Sequence, residues 1–176
     1  MSSGFDEAKT RRNWLERLGE KIPGFRGFQD RELRRDVDKM QREHLSSELL
    51  RLKGIVRDKA QAYTDAGQIG ALQQFERLDK KLDGLSQAVR FGDYGATGFF
   101  DVIKIEDPEL DKLYEFDLSV LDDIAILDVD LSAIPLPSSA NPEPAVSAVI
   151  NRVSVLEDKW AGRSIVISDV VRSANQ

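Results

Sequence analysis

The sequence predicts an all-α, bundle-like protein built around an elongated antiparallel helical hairpin of coiled-coil type, with further helices packed beside it. Three observations carry that prediction. Residues 30–63 contain no proline and are rich in Arg, Glu, Lys, Leu and Gln, side chains that lose little freedom in a helix. Apolar residues recur there, and again over 69–89, at the three- and four-residue spacing of a helix face. Between the two stretches stands Thr64-Asp65-Ala66-Gly67, a stop signal whose brevity forces the second helix back along the first.

Taken in order, residues 6–21 read as a short amphipathic helix with Trp14, Leu15 and Leu18 on one side, closed after Ile22 by Pro23-Gly24. Gly24-Phe25-Arg26-Gly27-Phe28 places two rings among two glycines, a composition suited to a turn that tucks aromatics against a neighbour. In the first hairpin helix Leu33, Val37, Met40 and His44 form one seam. Leu45, Leu49, Leu52, Val56 and Tyr63 form a shifted one, so the helix changes partners near Ser46-Ser47. Ile69, Leu72, Phe75, Leu78, Leu82, Leu85 and Val89 make the stripe of the returning helix.

After the glycine-rich residues 92–98, the apolar run Phe99–Ile105 is short enough to be strand, helix or packed extended chain. Asp107-Pro108-Glu109 then opens a helix carrying Leu110, Leu113, Leu121 and Ile124, expected to reach about Asp128. A proline-rich stretch separates it from a last helix capped by Asn141, whose Val146, Val149, Ile150, Val153, Leu156 and Trp160 share one stripe. The polar residues 162–176 carry only Ile165-Val166-Ile167 and are expected to be partly disordered. By composition the chain divides into an N-terminal helix and aromatic elbow (1–29), the hairpin (30–91), an acidic helical segment (92–134), a proline-rich linker that makes the last helix separable (135–144), and that helix with its tail (145–176).

Charge is split along the chain. Residues 1–92 hold 19 bases and 15 acids, a net of +4, whereas residues 93–176 hold 6 and 16, a net of −10. Residues 101–130 alone carry −9, which repels nucleic acid and fits an acidic face that is solvated or turned toward basic parts of the same molecule. With no cysteine and a single histidine, disulfides, thiolate nucleophiles and sites needing two imidazoles are excluded. Met1–Glu7 bears acids where a secretory signal needs bases, and no apolar run approaches the length of a membrane span, so the expected compartment is the cytoplasm.

Candidate chemistry is sparse. Gly92, Gly95 and Gly98 have the spacing of a phosphate loop, but no Lys-Ser/Thr follows and Asp93 and Asp101 repel a phosphate, so a hinge or packing turn is expected. His44 has Gln41 where a di-metal bundle needs glutamate, and it reads as an interfacial or surface residue. Asp128-Val129-Asp130 and Glu106-Asp107 lack the glycine and bidentate glutamate of a calcium loop. Ser46 and Ser47 lack a nucleophile elbow. No catalytic residue, cofactor, metal or small-molecule substrate is expected; the best enzymatic case is magnesium at Asp101, Glu106 and Asp107.

Two stretches resemble an uncharacterised family of small bacterial helical proteins. They are Ile22-Pro23-Gly24-Phe25-Arg26-Gly27-Phe28 followed by Arg31–Arg35, and Tyr94-Gly95-Ala96-Thr97-Gly98-Phe99-Phe100-Asp101 followed by Leu110–Asp117. The resemblance covers roughly residues 15–125 and implies a helical cytoplasmic protein, with no catalytic residues to transfer. Phenylalanines stand here where tyrosine is common in that family, and the proline-rich stretch departs from it.

The expected function is therefore that of a non-enzymatic helical adaptor or scaffold acting by self-association or through a helical partner. Its expected contact residues are Trp14, Phe25 and Phe28 in the N-terminal segment and Leu45, Leu49, Leu52 and Val56 on the shifted seam. The rival expectation is a peripheral membrane or envelope-stress component touching lipid through residues 5–28, where Phe5, Trp14, Phe25 and Phe28 interleave with basic side chains. That segment carries only +2 over residues 1–28, little beside the polybasic clusters that recruit proteins to anionic lipid.

Overall fold

The computed structural model describes residues 19–20, 31–92 and 108–174. Helix α1 runs Arg31–Asp65 and, at 1.5 Å per residue, is about 50 Å long. It ends where Gly67 takes φ 71°, a left-handed conformation that glycine adopts without steric cost. The Gln68 amide donates to Tyr63 and the Gly67 amide to Thr64, the paired bonds of a Schellman stop. A 3-10 turn, Ile69–Ala71, leads into α2, Leu72–Phe91. Ile69, assigned by its spacing to the apolar stripe, lies in this turn and is exposed; the stop at Gly67 rotates it away from the seam.

α1 and α2 form the antiparallel hairpin. Leu45, Leu49, Leu52, Val56 and Tyr63 of α1 meet a core shared with Phe75, Leu78, Leu82, Leu85 and Val89 of α2. Halfway along, Ser46 and Ser86 are buried and their hydroxyls sit 2.8 Å apart. Lys53 bridges to Asp83 and Arg57 to Asp79 on the flank, and the Lys53 ammonium holds the Asp83 carboxyl below its ordinary range.

Helix α3, Pro108–Ala133, runs one turn beyond the expected end at Asp128, because Leu127, Leu131 and Ile134 continue its buried stripe. Helix α4 spans Glu143–Ala161 with Pro142 at its N-cap; Asn141, expected to be the cap, stands one residue earlier, where its side chain accepts the Glu143 amide at 3.0 Å. α1 packs against α2 and α3, and α4 packs against the same two helices. The four therefore make a square bundle with α1 facing α4 and α2 facing α3 across the diagonals. Successive partners fix the directions: Arg51 meets Asp128 and Tyr63 reaches Pro135, so α1 and α3 are parallel. Lys81 meets Glu157 and Ala88 accepts from Trp160, so α2 and α4 are parallel too.

Two expectations are overturned. The proline-rich stretch is no free linker, since its backbone is pinned to the end of the hairpin. Tyr63 Oη donates to the Pro135 carbonyl at 2.8 Å, Lys59 Nζ to that of Ile134 at 3.2 Å, and the Gln68 amide bonds Ser138 twice. The helix beyond it is not separable either, because Val146, Val149, Ile150, Val153 and Leu156 are buried in the common core. The second correction concerns the tail, expected to be partly disordered. It forms α5, Arg163–Ala174, packed on α3 and α4, because Arg163 and Ile167 both find buried partners.

Gly54 and Gly84 sit on the exposed sides of α1 and α2, and a Cβ built on either meets nothing within 4 Å. Each costs the helix conformational entropy without permitting any close approach. Replacing both with alanine should raise stability by roughly 0.5–1 kcal/mol per site, read as a higher denaturation midpoint at unchanged slope.

Candidate functional site

The most polar arrangement in the interior lies where α4 gives way to α5. Arg163, first residue of α5, is only 4% exposed. Its Nε and one terminal nitrogen donate to the two oxygens of Asp117 on α3, both at 2.8 Å. That terminal nitrogen also reaches Asp38 on α1 at 2.6 Å. Asp38 accepts from Arg42 Nε at 2.8 Å, and Arg42 donates to the carbonyl of Arg90, near the end of α2, at 2.7 Å. One side chain at the turn into α5 thus ties α5 to two other helices, and through Arg42 to a third.

Electrostatics explain why these charges tolerate burial. Asp38 is 2% and Asp117 1% exposed, and isolated carboxylates there would be strongly disfavoured. Burial pushes the Asp117 carboxyl up, while the Arg163 fork pulls it back. Burial opposes the charge on Arg163, yet the bonds and charges of Asp117 and Asp38 hold its proton more tightly than in water. The guanidinium also lies 5.1 Å from the ring centre of Trp160, within cation–π range. Trp160 in turn donates to the Ala88 carbonyl at 3.3 Å, beside Gly92, where a Cβ would stand 2.7 Å from that same oxygen. Of the glycine run, only Gly92 falls within the described residues, and it serves this close approach.

With their oxygens held by guanidinium groups, these acids are structural ties. Beside them the Gln41 side chain is buried with neither polar atom bonded among the described residues. Asp128 and Asp130 turn to different helices, toward Arg51 and Arg152, so they frame no common cation. Among the described residues no three His, Asp or Glu side chains gather as a metal set. Ser46 is the seam residue bonded to Ser86, and Ser47 caps the carbonyl of half-buried His44. The acidic α3 is neutralised chiefly from the C-terminal helices, by Lys159, Arg152 and Arg163 on Asp123, Asp130 and Asp117, with Arg51 of the basic half on Asp128.

The interaction residues read from the sequence divide into two groups. Trp14, Phe25 and Phe28 lie outside the described residues, as do residues 22–28 and 94–101 of the resemblance and the trio Asp101, Glu106 and Asp107. Leu45, Leu49, Leu52 and Val56 are 0–1% exposed inside the chain's own core. The shifted seam, expected to be free for a partner, is covered by α2 and by the arrival of α3. The structure presents other apolar residues instead: Ile126 and Val129 on α3 and Val155 on α4 are 43%, 68% and 67% exposed. The Asp123–Lys159 and Asp130–Arg152 bridges hold α3 and α4 in register, and all three aliphatics fall between them. Their signal in the sequence was position, since Ile126 and Val129 fall off the buried stripe through Ile124, Leu127 and Leu131.

No helix of the described residues is long and apolar enough to cross a membrane. Comparison of the chain with protein-family models, with curated proteins and with solved structures returns no match.

Proposed function

We propose that the chain is a non-enzymatic, cytoplasmic helical adaptor that self-associates through the outer face of α3 and α4. The observation carrying this reading is the aliphatic trio Ile126, Val129 and Val155, set between two salt bridges on adjacent helices. Exposed aliphatics gathered on a small domain mark contact surfaces, and these three fall in sequence between the residues whose bridges join α3 to α4. The flanking acids Asp123 and Asp130 are already paired within the chain, so a second copy of the same face meets little like-charge repulsion. A two-fold pairing would bring the trio against itself.

Sedimentation across a dilution series tests this. The protein should shift from monomer toward dimer as concentration rises, and Val129→Glu with Val155→Glu should raise the dissociation constant at least about tenfold, since each burial is worth about 1.5–3 kcal/mol. Both sites are exposed, so helical circular dichroism should stay unchanged. A monomer at every concentration removes the reading.

A further inference from the structure

A different surface, between α2 and α4, has unpaired chemistry of its own. It is a groove of about 630 Å³ bordered by Gln73, Gln74, Glu76, Arg77, Lys80, Lys81 and Glu157. Most cations of the bundle are engaged: Arg51, Lys53, Arg57, Lys81, Arg152, Lys159 and Arg163 all meet acids. Arg77 and Lys80, one turn apart on α2, have no ion-pair partner among the described residues, and the amides of Gln73 and Gln74 have no hydrogen-bond partner there. Among the described residues, two free cations and two free amides thus border one groove against a single unpaired acid, Glu76, in a chain of net charge −6.

We propose that this groove docks an acidic peptide segment of a partner protein. Arg77 and Lys80 pair with two carboxylates, and each glutamine amide, both donor and acceptor, serves the peptide backbone. The carboxylates of Glu76 and of Glu157, the latter bonded to Lys81 at 2.6 Å, form part of the wall. They disfavour a continuous phosphate backbone while leaving room for discrete carboxylates set apart from them. Self-association through α3 and α4 leaves the α2 side of the groove open, so an adaptor can hold its own copy on one face and an acidic segment on the other.

The test is fluorescence anisotropy of the full chain with a fluorescein-labelled peptide of alternating glutamate and alanine, about ten residues long. Saturable binding at low salt is expected, weakening as salt rises, and Arg77→Glu with Lys80→Glu should weaken it at least about tenfold. Lys112→Glu, at an exposed lysine on α3 outside the groove, should leave it within about twofold. The proposal is overturned by absence of saturable binding, by binding that the double reversal leaves unchanged, or by tighter groove-dependent binding of tripolyphosphate or oligouridylate. None of these outcomes depends on the monomer–dimer equilibrium, so the two readings fail separately.

Discussion

Arg163→Ala is expected to lower the unfolding free energy by about 3–5 kcal/mol, the usual result of removing one partner from a buried ion pair. The loss comes less from missing attraction than from what stays behind. Asp117 would keep its burial and lose both hydrogen bonds on its carboxylate, while Asp38 would retain Arg42. Urea denaturation of the variant beside the parent measures the difference, and a change under about 1 kcal/mol would contradict the buried-tie description. Replacing the pair together, as Asp117→Leu with Arg163→Met, should recover most of the loss, because no bare charge remains. The sign with pH also follows. Without Arg163, burial holds the folded-state pKa of Asp117 above its unfolded value. That group then contributes stability fully at acid pH and loses it as pH rises through the folded value. The deficit of Arg163→Ala should accordingly shrink on acidification.

Leu78→Asp is expected to unfold the protein outright. Leu78 is wholly buried in the core shared by α1 and α2. Alanine there should cost about 2–5 kcal/mol through lost transfer energy and the cavity left behind. Aspartate adds an unpaired carboxylate to the apolar seam. The sum approaches the whole stability of a domain this size, about 5–15 kcal/mol, so far-ultraviolet circular dichroism should show little helix. Glu76→Asp, two residues away on the exposed side, should change stability by less than about 0.5 kcal/mol. A cooperative, parent-like melt for Leu78→Asp would refute the hairpin core.

The hairpin and α4 were legible because periodicity says which side chains are buried, and Leu82 or Val153 needs no more than that. It does not say against what. Leu45, Leu49, Leu52 and Val56 formed a second seam that looked unpartnered, yet a separate helix some 70 residues further along covers it. The tail is illegible in the sequence for a related reason. Arg163 in a polar stretch has nothing local to fold against, and its partners Asp117 and Asp38 are set by the return of the chain. One clue was available. Asp117 stands midway between Leu113 and Leu121 on the α3 stripe, and a carboxylate in a core position demands a buried cation. Which of the 25 basic residues would supply it only the packing decides.

The hydroxyls of Ser46 and Ser86 have a part to play in alignment. Leucine stripes repeat so regularly that two long helices can slide past one another by a turn and still bury comparable apolar area. Sliding this pair would set each hydroxyl opposite hydrocarbon, at about 1–3 kcal/mol per unsatisfied group. The observed setting of the two rods keeps the two hydroxyls on each other, so two small polar atoms act as a notch that favours this alignment of the apolar ones.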